Sequence, residues 1–148
     1  MSYTRLNYHV TFSTKDRRPL IEPDLLDRTC RYLGGMIREM GGVLLKANGQ
    51  PDHLHLAVVI PAASPLADFI GKIKSYSTGW IHRTFPKLND FAWQNGYAAF
   101  TVSPSVLDDV ICYIDRQREH HAALTFEQEL MKLLDKHGIE YDPAKLFV

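Results

Sequence analysis

The order of strand-like and helix-like hydrophobic patterns constrains the fold of this chain more than any other feature of its sequence. Residues 6–14 alternate apolar and polar side chains, which predicts a strand. Residues 25–40 repeat apolar side chains at three- and four-residue spacing and end at Gly41-Gly42, which predicts a helix with a glycine stop. Two strand-like runs follow at 43–47 and 54–60, and the turn-forming residues 48–52 between them indicate an antiparallel pair.

The second half of the chain continues this alternation. Ser64-Pro65 predicts the start of a helix whose apolar stripe runs as far as residue 85. Residues 97–102 predict a fourth strand, and Ser103-Pro104-Ser105 is expected to cap a third helix. A last short helix is predicted over 126–137, before a C-terminal tail.

These elements follow one another in a β-α-β-β-α-β order, with two helices added at the end. Such an order is typical of a ferredoxin-like split βαβ sandwich, an α+β fold with helices on one face of an antiparallel sheet. Here a C-terminal helix that bears a tyrosine is added to that unit. The 148 residues, of which 45% are hydrophobic, suffice for one ordinary domain. We therefore predict a single domain over 1–148 that includes the short last helix and tail at 126–148.

Composition excludes several classes of protein. The chain has 17 Lys and Arg against 17 Asp and Glu, so it is not a uniformly basic nucleic-acid coat, although local basic patches are not excluded. No segment approaches the roughly 18 apolar residues of a membrane-spanning helix, and no signal-peptide-like segment follows Met1. We therefore expect a cytoplasmic protein without a membrane partner. Cys30 and Cys112 lack CxxC spacing and are expected to be reduced thiols in the core.

Two histidines form the sharpest local motif. His53 and His55 stand at positions i and i+2 of a predicted strand, so their side chains project to the same face. Their imidazoles could converge on one metal ion or phosphate. Two histidines on the solvent-exposed face of an antiparallel strand would show the same pattern, so the motif alone leaves both interpretations open.

A second candidate set lies on the helix after the last strand. Tyr113, Gln117 and His120 or His121 recur at spacings of three and four, which places a phenol, an amide and an imidazole along one edge of the apolar stripe. The alternative is a tyrosine at the boundary of the core with a solvated polar flank, as on ordinary amphipathic helices.

The two motifs together resemble the single-tyrosine HUH transposases of the insertion-sequence-200/605 family. The resemblance covers nearly the whole chain and rests on four segments: YHVTFSTK at 8–15, DHLHL at 52–56, WQNGY at 93–97 and YIDRQ at 113–117. It implies that His53 and His55 bind a metal ion, that Gln117 is the third protein ligand, and that Tyr113 is the nucleophile. Enzymes of this kind cut single-stranded DNA through a 5′-phosphotyrosine intermediate and rejoin it.

The resemblance also implies a cofactor and partners. It favours Mg²⁺ or Mn²⁺, whereas two histidines by themselves would suit zinc, copper or nickel at least as well as magnesium. It implies single-stranded DNA with hairpin ends as the substrate, and a homodimer in which Tyr113 of one protomer completes the histidine site of the other. His120 is a candidate helper for deprotonating the tyrosine, with a solvated helix flank as its alternative.

DNA must also be held, and basic and aromatic side chains are candidates for this. The candidate phosphate contacts are Lys15, Arg17, Arg18, Lys72, Lys74 and Arg83. The candidates for stacking on unpaired bases are Tyr76, Trp80, Trp93 and Tyr97. Each basic set could equally be a solvated surface, and core packing is the better interpretation for Trp80.

These observations favour a DNA transposase and leave two alternatives. One is a domesticated relative that nicks repeated hairpins without moving an element. The other is a non-catalytic ferredoxin-like module that binds nucleic acid through aromatic side chains on its sheet. The catalytic hypothesis requires His53 and His55 to lie beside Tyr113 and Gln117, whereas the binding module predicts that they are buried in separate positions.

Overall fold

The structure, a computed structural model, describes residues 1–120 and 124–147, with only the backbone described at His120. Four strands form one antiparallel sheet in the order β2-β3-β1-β4. The strands are β1 Asn7–Ser13, β2 Val43–Gln50, β3 His53–Val59 and β4 Ala98–Thr101. The helices are α1 Pro23–Glu39, α2 Leu66–Thr84, α3 Leu107–Asp115, α4 Gln117–His120 and α5 Phe126–Lys136. This confirms the predicted α+β architecture with its β-α-β-β-α-β order.

The helices α1 and α2 bury one face of the sheet. Their apolar stripes, including Leu33 and Ile73, pack with Val10 and Phe12 of β1 and with Leu54 of β3 in the main core. Because side chains alternate along a strand, the residues between these core positions face the opposite side.

A second apolar cluster lies on that opposite side. It joins Phe100 of β4 to Phe126, Leu130 and Leu134 of α5. The C-terminal helices therefore cover the sheet face that carries the two histidines, and the candidate site lies between this face and α5.

The central position of β3 holds the histidine segment from both sides. His55 pairs with Thr11 of β1 and with Asn48 of β2. His53 likewise pairs with Ser13 and Gln50. Backbone hydrogen bonds on both edges make this segment one of the best-supported parts of the sheet.

The prediction that the second strand ends at residue 47 is wrong. β2 continues through Asn48 and Gly49 to Gln50, so that only Pro51-Asp52 remains in the turn. A turn-forming residue such as Gly49 occurs in this strand because the backbone of β3 lies too close to leave room for a side chain. At Gly49, a Cβ atom would lie 2.2 Å from the backbone oxygen of His53.

Substituting Gly49 by alanine should therefore destabilise the protein. The added methyl group must push β2 away from His53, and overpacking of this kind costs about 1–3 kcal/mol of unfolding free energy. Gly71→Ala is the matched control, because nothing lies within 4 Å of its added Cβ on α2 and a helical alanine gains roughly 0.5–1 kcal/mol. Urea denaturation measures both. Equal stability of the two variants would contradict the close approach.

Smaller differences concern helix ends and one thiol. Pro65, not Ser64, is the N-cap of α2. The predicted third helix is split into a 3-10 turn at Pro104–Val106, α3 and α4, and the Ser103 hydroxyl makes no capping bond.

Cys112 is exposed, so its predicted core position is wrong, because Ile114 occupies the buried side of α3. Cys30 is partly buried, and burial raises the pKa of its thiol to about 11.

Candidate active site

The two histidines of β3 lie side by side and are buried. His53 is 3% exposed and His55 is fully buried, and their ring centroids are 5.1 Å apart. The interpretation of two histidines on a solvent-exposed strand face therefore does not describe this structure. Instead, both rings face the layer formed by the C-terminal helices.

The carboxylate of Glu129 on α5 occupies the centre of the site. Its Oε1 atom lies 2.9 Å from Nε2 of His55 and 3.0 Å from Nε2 of His53. Its Oε2 atom accepts a hydrogen bond from the Tyr113 hydroxyl and another, 2.9 Å long, from Nε2 of Gln117. One carboxylate thus joins the histidines, the tyrosine and the glutamine that the sequence motifs single out.

Sequence analysis missed Glu129, although its position carried a signal. Phe126, Glu129, Leu130 and Leu134 are the buried residues of α5, so a carboxylate interrupts an otherwise apolar stripe. The start of α5 is set by a capping box, in which Thr125 accepts from the Gln128 backbone and the Gln128 side chain accepts from the Thr125 backbone. A buried acidic residue requires polar partners, and this requirement could have pointed to the site.

The outer ring nitrogen of each histidine also has a partner. Nδ1 of His53 lies 2.7 Å from Oδ1 of Asp52. Nδ1 of His55 lies 2.8 Å from Nε2 of His9, a buried residue of β1. Metal-binding histidines are commonly oriented by such contacts at the nitrogen that faces away from the ion.

Burial and charge alter the protonation of these groups. Burial opposes ionisation of Glu129, but the close imidazole of His53 and the hydrogen bond from His55 hold the pKa of its carboxyl well below the usual range. Burial also opposes charge on His53, yet its contacts with Asp52 and Glu129 raise its pKa. Burial lowers the pKa of His55, and burial together with the neighbouring His55 ring lowers the pKa of His9 to about 3.

Tyr113 is held as a neutral phenol in this arrangement. Burial and then the adjacent Glu129 carboxylate raise the pKa of its hydroxyl above the ordinary value, and both effects outweigh the opposing hydrogen bond from Gln117. A tyrosine nucleophile at this position therefore needs a neighbouring positive charge to favour its ionised form.

Acid should destabilise the metal-free protein through His9. The pKa of this ring is about 3 in the folded chain and 6.5 without the fold, so between these values the unfolded chain binds the additional proton. The unfolding free energy therefore falls as the pH drops below 6.5, by at most about 1.4 kcal/mol per pH unit for this group. Urea denaturation with a chelator at about pH 7, 6 and 5 should show a steeper fall for wild type than for His9→Gln. Equal slopes would argue against the low pKa.

The donor atoms of the site fit a divalent cation. One potential ligand atom from each of His53, His55 and Glu129 lies within 4.8 Å of the other two. Although Nε2 of His53 is close to Glu129, the contact lacks hydrogen-bond geometry, and this buried nitrogen has no hydrogen-bond partner among the described residues. Two imidazoles with one carboxylate form a site for a hard or borderline divalent ion, and the carboxylate improves the fit for Mg²⁺ or Mn²⁺.

The structure brings together four of the predicted catalytic residues. Tyr113 on α3 and the buried Gln117 at the start of α4 both contact Glu129, which contacts His53 and His55. The backbone of His120 ends α4, but its predicted role as a helper falls on a side chain outside the described residues.

A cavity of about 570 Å³ opens beside the tyrosine. Its lining includes His9, Tyr113, Glu129, Lys132 and Lys136. Two lysines of α5 therefore stand at the wall of a space that reaches the nucleophile candidate and the central carboxylate.

The predicted DNA contacts lie in two separate places. Lys15, Arg17 and Arg18 follow β1, next to the turn that precedes His53, where Thr14 donates to the Asp52 backbone oxygen. Arg18 pairs with Asp90 at 3.2 Å, and the Arg17 guanidinium lies over the ring of Phe147. The other predicted contacts, Lys72, Lys74 and Arg83, belong to α2 on the opposite face of the sheet.

Several of these side chains already have structural roles. The Lys74 ammonium donates to the backbone oxygens of Gln94 and Gly96. Trp93 is buried and donates its indole N–H to Ser77, so it is not placed to stack on a base. Trp80 stacks on Tyr32 at the edge of the core, as expected, whereas Tyr76 and Tyr97 are exposed.

Most of this chain is similar in sequence to known proteins. Residues 2–117 match the family model described as transposase, IS200 like. The ISDra2 transposase TnpA of Deinococcus radiodurans is 22% identical over 120 residues, which cover 78% of this chain and 86% of that protein. Glu129 and the whole of α5 lie beyond the segment that matches the family model.

Solved structures show the same fold. A Deinococcus radiodurans R1 protein described as a transposase superposes with a TM-score of 0.66 at 24% identity, covering 78% of this chain and 93% of that one. A REP-associated tyrosine transposase bound to a REP hairpin superposes with a TM-score of 0.60 at 15% identity, covering 84% and 73%. Within the described residues, no helix has the length and apolar character needed to cross a membrane.

Proposed function

Since this chain belongs to the family of IS200-like transposases, we propose that it cuts and rejoins single-stranded DNA through a phosphotyrosine bond formed at Tyr113. One observation carries this proposal. The Tyr113 hydroxyl and the buried imidazoles of His53 and His55 meet on the two oxygens of a single carboxylate. Nucleic-acid binding alone does not require a phenol and three potential metal ligands at one buried point.

The metal site comprises residues from the central strand and the C-terminal helices. His53, His55 and Gln117 are the ligands that the family resemblance implies, and Oε1 of Glu129 adds a fourth. In the present conformation the Gln117 amide donates to Glu129 through Nε2, so a half-turn of the amide would direct its oxygen to the ion. Bound Mg²⁺ or Mn²⁺ would supply positive charge to polarise the scissile phosphate and stabilise the departing 3′ oxygen.

Tyr113 carries the covalent step. Its hydroxyl loses a proton, its oxygen forms a bond to phosphorus, and the bond from phosphorus to the 3′ oxygen breaks. The 3′ oxygen takes up a proton and leaves as the free hydroxyl of one DNA fragment, while the other fragment stays bound to the tyrosine through its 5′ phosphate. The ester keeps the energy of the broken bond, so attack by another 3′ hydroxyl can rejoin strands without ATP.

The substrate we propose is single-stranded DNA beside a hairpin. Support comes from the fold that this chain shares with a transposase bound to a REP hairpin. Lys15, Arg17 and Arg18 lie at the site end of β1 and would contact phosphates near the cut. Lys72 and Arg83 on the opposite face would contact DNA away from it, and Lys74 would do so only by giving up its backbone contacts. We place this activity in the cytoplasm.

The predicted homodimer with tyrosine supplied in trans stays a prediction. In the single chain, Tyr113 contacts Glu129 of its own chain, beside its own histidines. A trans arrangement would therefore require the α3 helices of two protomers to exchange places. Both halves of 1–148 contribute to the site, which supports one functional domain.

The test of this function is a covalent adduct. Purified protein is incubated with labelled single-stranded DNA carrying a hairpin from its own genomic flank, with Mn²⁺, Mg²⁺ or a chelator. A metal-dependent protein–DNA band on a denaturing gel, mapped by mass spectrometry to Tyr113, is the expected result. Adducts without strand joining would favour the repeat-hairpin nickase. Binding without an adduct under every condition would overturn the proposal in favour of the non-catalytic module.

A further inference from the structure

The two histidines of the site differ in what holds their outer nitrogen. Nδ1 of His53 lies 2.7 Å from Oδ1 of Asp52, and a carboxylate only accepts hydrogen bonds. Its Nε2 atom lies 3.0 Å from Oε1 of Glu129 but, unlike Nε2 of His55, without hydrogen-bond geometry. A neutral His53 therefore carries its proton at Nδ1 and has a lone pair at Nε2, which faces the site. Asp52 thus holds His53 in the tautomer that a metal ion requires.

His55 is held in the opposite tautomer. Its Nε2 atom lies 2.9 Å from Oε1 of Glu129, which can only accept, so a neutral His55 carries its proton at Nε2. Its Nδ1 atom must then accept the hydrogen bond from Nε2 of His9, at 2.8 Å. In this state His55 has no lone pair to offer to an ion at the centre of the site.

We propose that His9 is a positioning residue whose hydrogen bond with His55 reverses direction when the metal ion binds. The inference rests on the metal site of the proposed function. For Nε2 of His55 to become a ligand, its proton leaves to solvent and Nε2 of His9 passes a proton to Nδ1 of His55. Nδ1 of His9 takes one proton from solvent, so the pair keeps the same number of protons. His9 and Glu129, the residues next to His55 at the two ends of this relay, both line the cavity.

This role restricts which side chains can replace His9. The group at this position must donate to His55 in the metal-free protein and accept from it in the metal-bound protein. An imidazole does both by changing tautomer, and an amide does both by turning over, whereas a phenyl ring does neither. We expect His9→Phe to weaken Mn²⁺ binding about 10- to 100-fold, and His9→Gln to bind within about threefold of wild type.

The first measurement is Mn²⁺ affinity, from the electron paramagnetic resonance signal of free Mn²⁺. Thr11→Val is the matched control, because Thr11 lies two residues along the same face of β1 and donates to the Leu54 backbone oxygen at 2.7 Å. Thr11 pairs with His55 across the two strands, but this variant removes only a hydroxyl that bonds Leu54 and leaves both ring nitrogens of His55 with their partners His9 and Glu129. It should lose stability while keeping its Mn²⁺ affinity. Wild-type affinity in His9→Phe, or equal weakness in His9→Gln and His9→Phe, would overturn the proposal.

The second measurement is the tautomers of His55 and His9, read from ring ¹⁵N chemical shifts of the wild-type protein, and it does not depend on whether His9→Phe folds. The expected result is a proton at Nε2 of both rings without metal and at Nδ1 of both rings with saturating Mg²⁺. A merely structural His9 would keep its own tautomer when the metal binds, and an unchanged tautomer of His9 overturns the relay. If wild type binds neither Mn²⁺ nor Mg²⁺, the metal site itself fails. Normal binding with an unchanged tautomer rejects only the role of His9.

Discussion

Tyr113→Phe is expected to abolish the covalent protein–DNA adduct and to lower strand cleavage by about 10³-fold or more, as removal of a catalytic nucleophile does. Phenylalanine keeps the ring and its contacts with His9 and His55, at 6.1 and 5.8 Å between centroids. The hydroxyl is lost together with its hydrogen bonds to Glu129 and from Gln117. The folding cost should be about 1–3 kcal/mol, because two hydrogen bonds are removed.

Measuring the affinity of this variant for hairpin DNA distinguishes a loss of catalysis from a loss of the folded protein. The dissociation constant for the labelled hairpin should stay close to that of wild type, since Tyr113 reacts with the phosphate but is not needed to hold the duplex. Tyr97→Phe is the control, because it makes the same change on an exposed tyrosine outside the described site and keeps the ring that is a candidate for stacking on a base. Adduct formation that survives in Tyr113→Phe would show that another residue is the nucleophile.

Glu129→Gln is expected to weaken Mn²⁺ binding by about 100-fold or more, which exceeds the usual cost of altering a group that only supports a ligand. Glutamine keeps the size of the side chain but removes the charge that faces His53 and His55. Cleavage at limiting Mn²⁺ should fall in parallel. Loss of the carboxylate acceptor should also reduce the unfolding free energy of the metal-free protein by about 1–3 kcal/mol.

Glu127→Gln provides the control for this substitution. It makes the same chemical change on the same helix, at a position that is not among the buried residues of α5. Mn²⁺ affinity and cleavage should be unchanged there. Wild-type Mn²⁺ affinity in Glu129→Gln would leave His53, His55 and Gln117 as the ligand set. Faster cleavage at saturating Mn²⁺ would show that the carboxylate restrains Tyr113 rather than supporting the ion.

The fold was predictable because its signals are local. A short stretch of chain suffices to show the apolar alternation around Val10 and Phe12 that predicts β1. The same holds for the helical spacing from Leu25 to Ile37 that predicts α1, and the structure buries these residues. The end of β2 was not predictable in this way. Asn48 and Gly49 favour a turn by themselves, but pairing with His55 and Leu54 keeps them in the strand.

The candidate site, like the fold, was predictable only where its signals are local. The i and i+2 spacing of His53 and His55, and the i and i+4 spacing of Tyr113 and Gln117, place each pair on one face of its own element, and the sequence alone determined this much. Only the tertiary structure brought the two pairs together and added Glu129 between them. Secondary structure sets which way side chains point, whereas the packing of α5 against the sheet sets which side chains meet. That packing depends on contacts of Phe126, Leu130 and Leu134 with Phe100. These residues are distant in the sequence, so no local pattern predicts their contact.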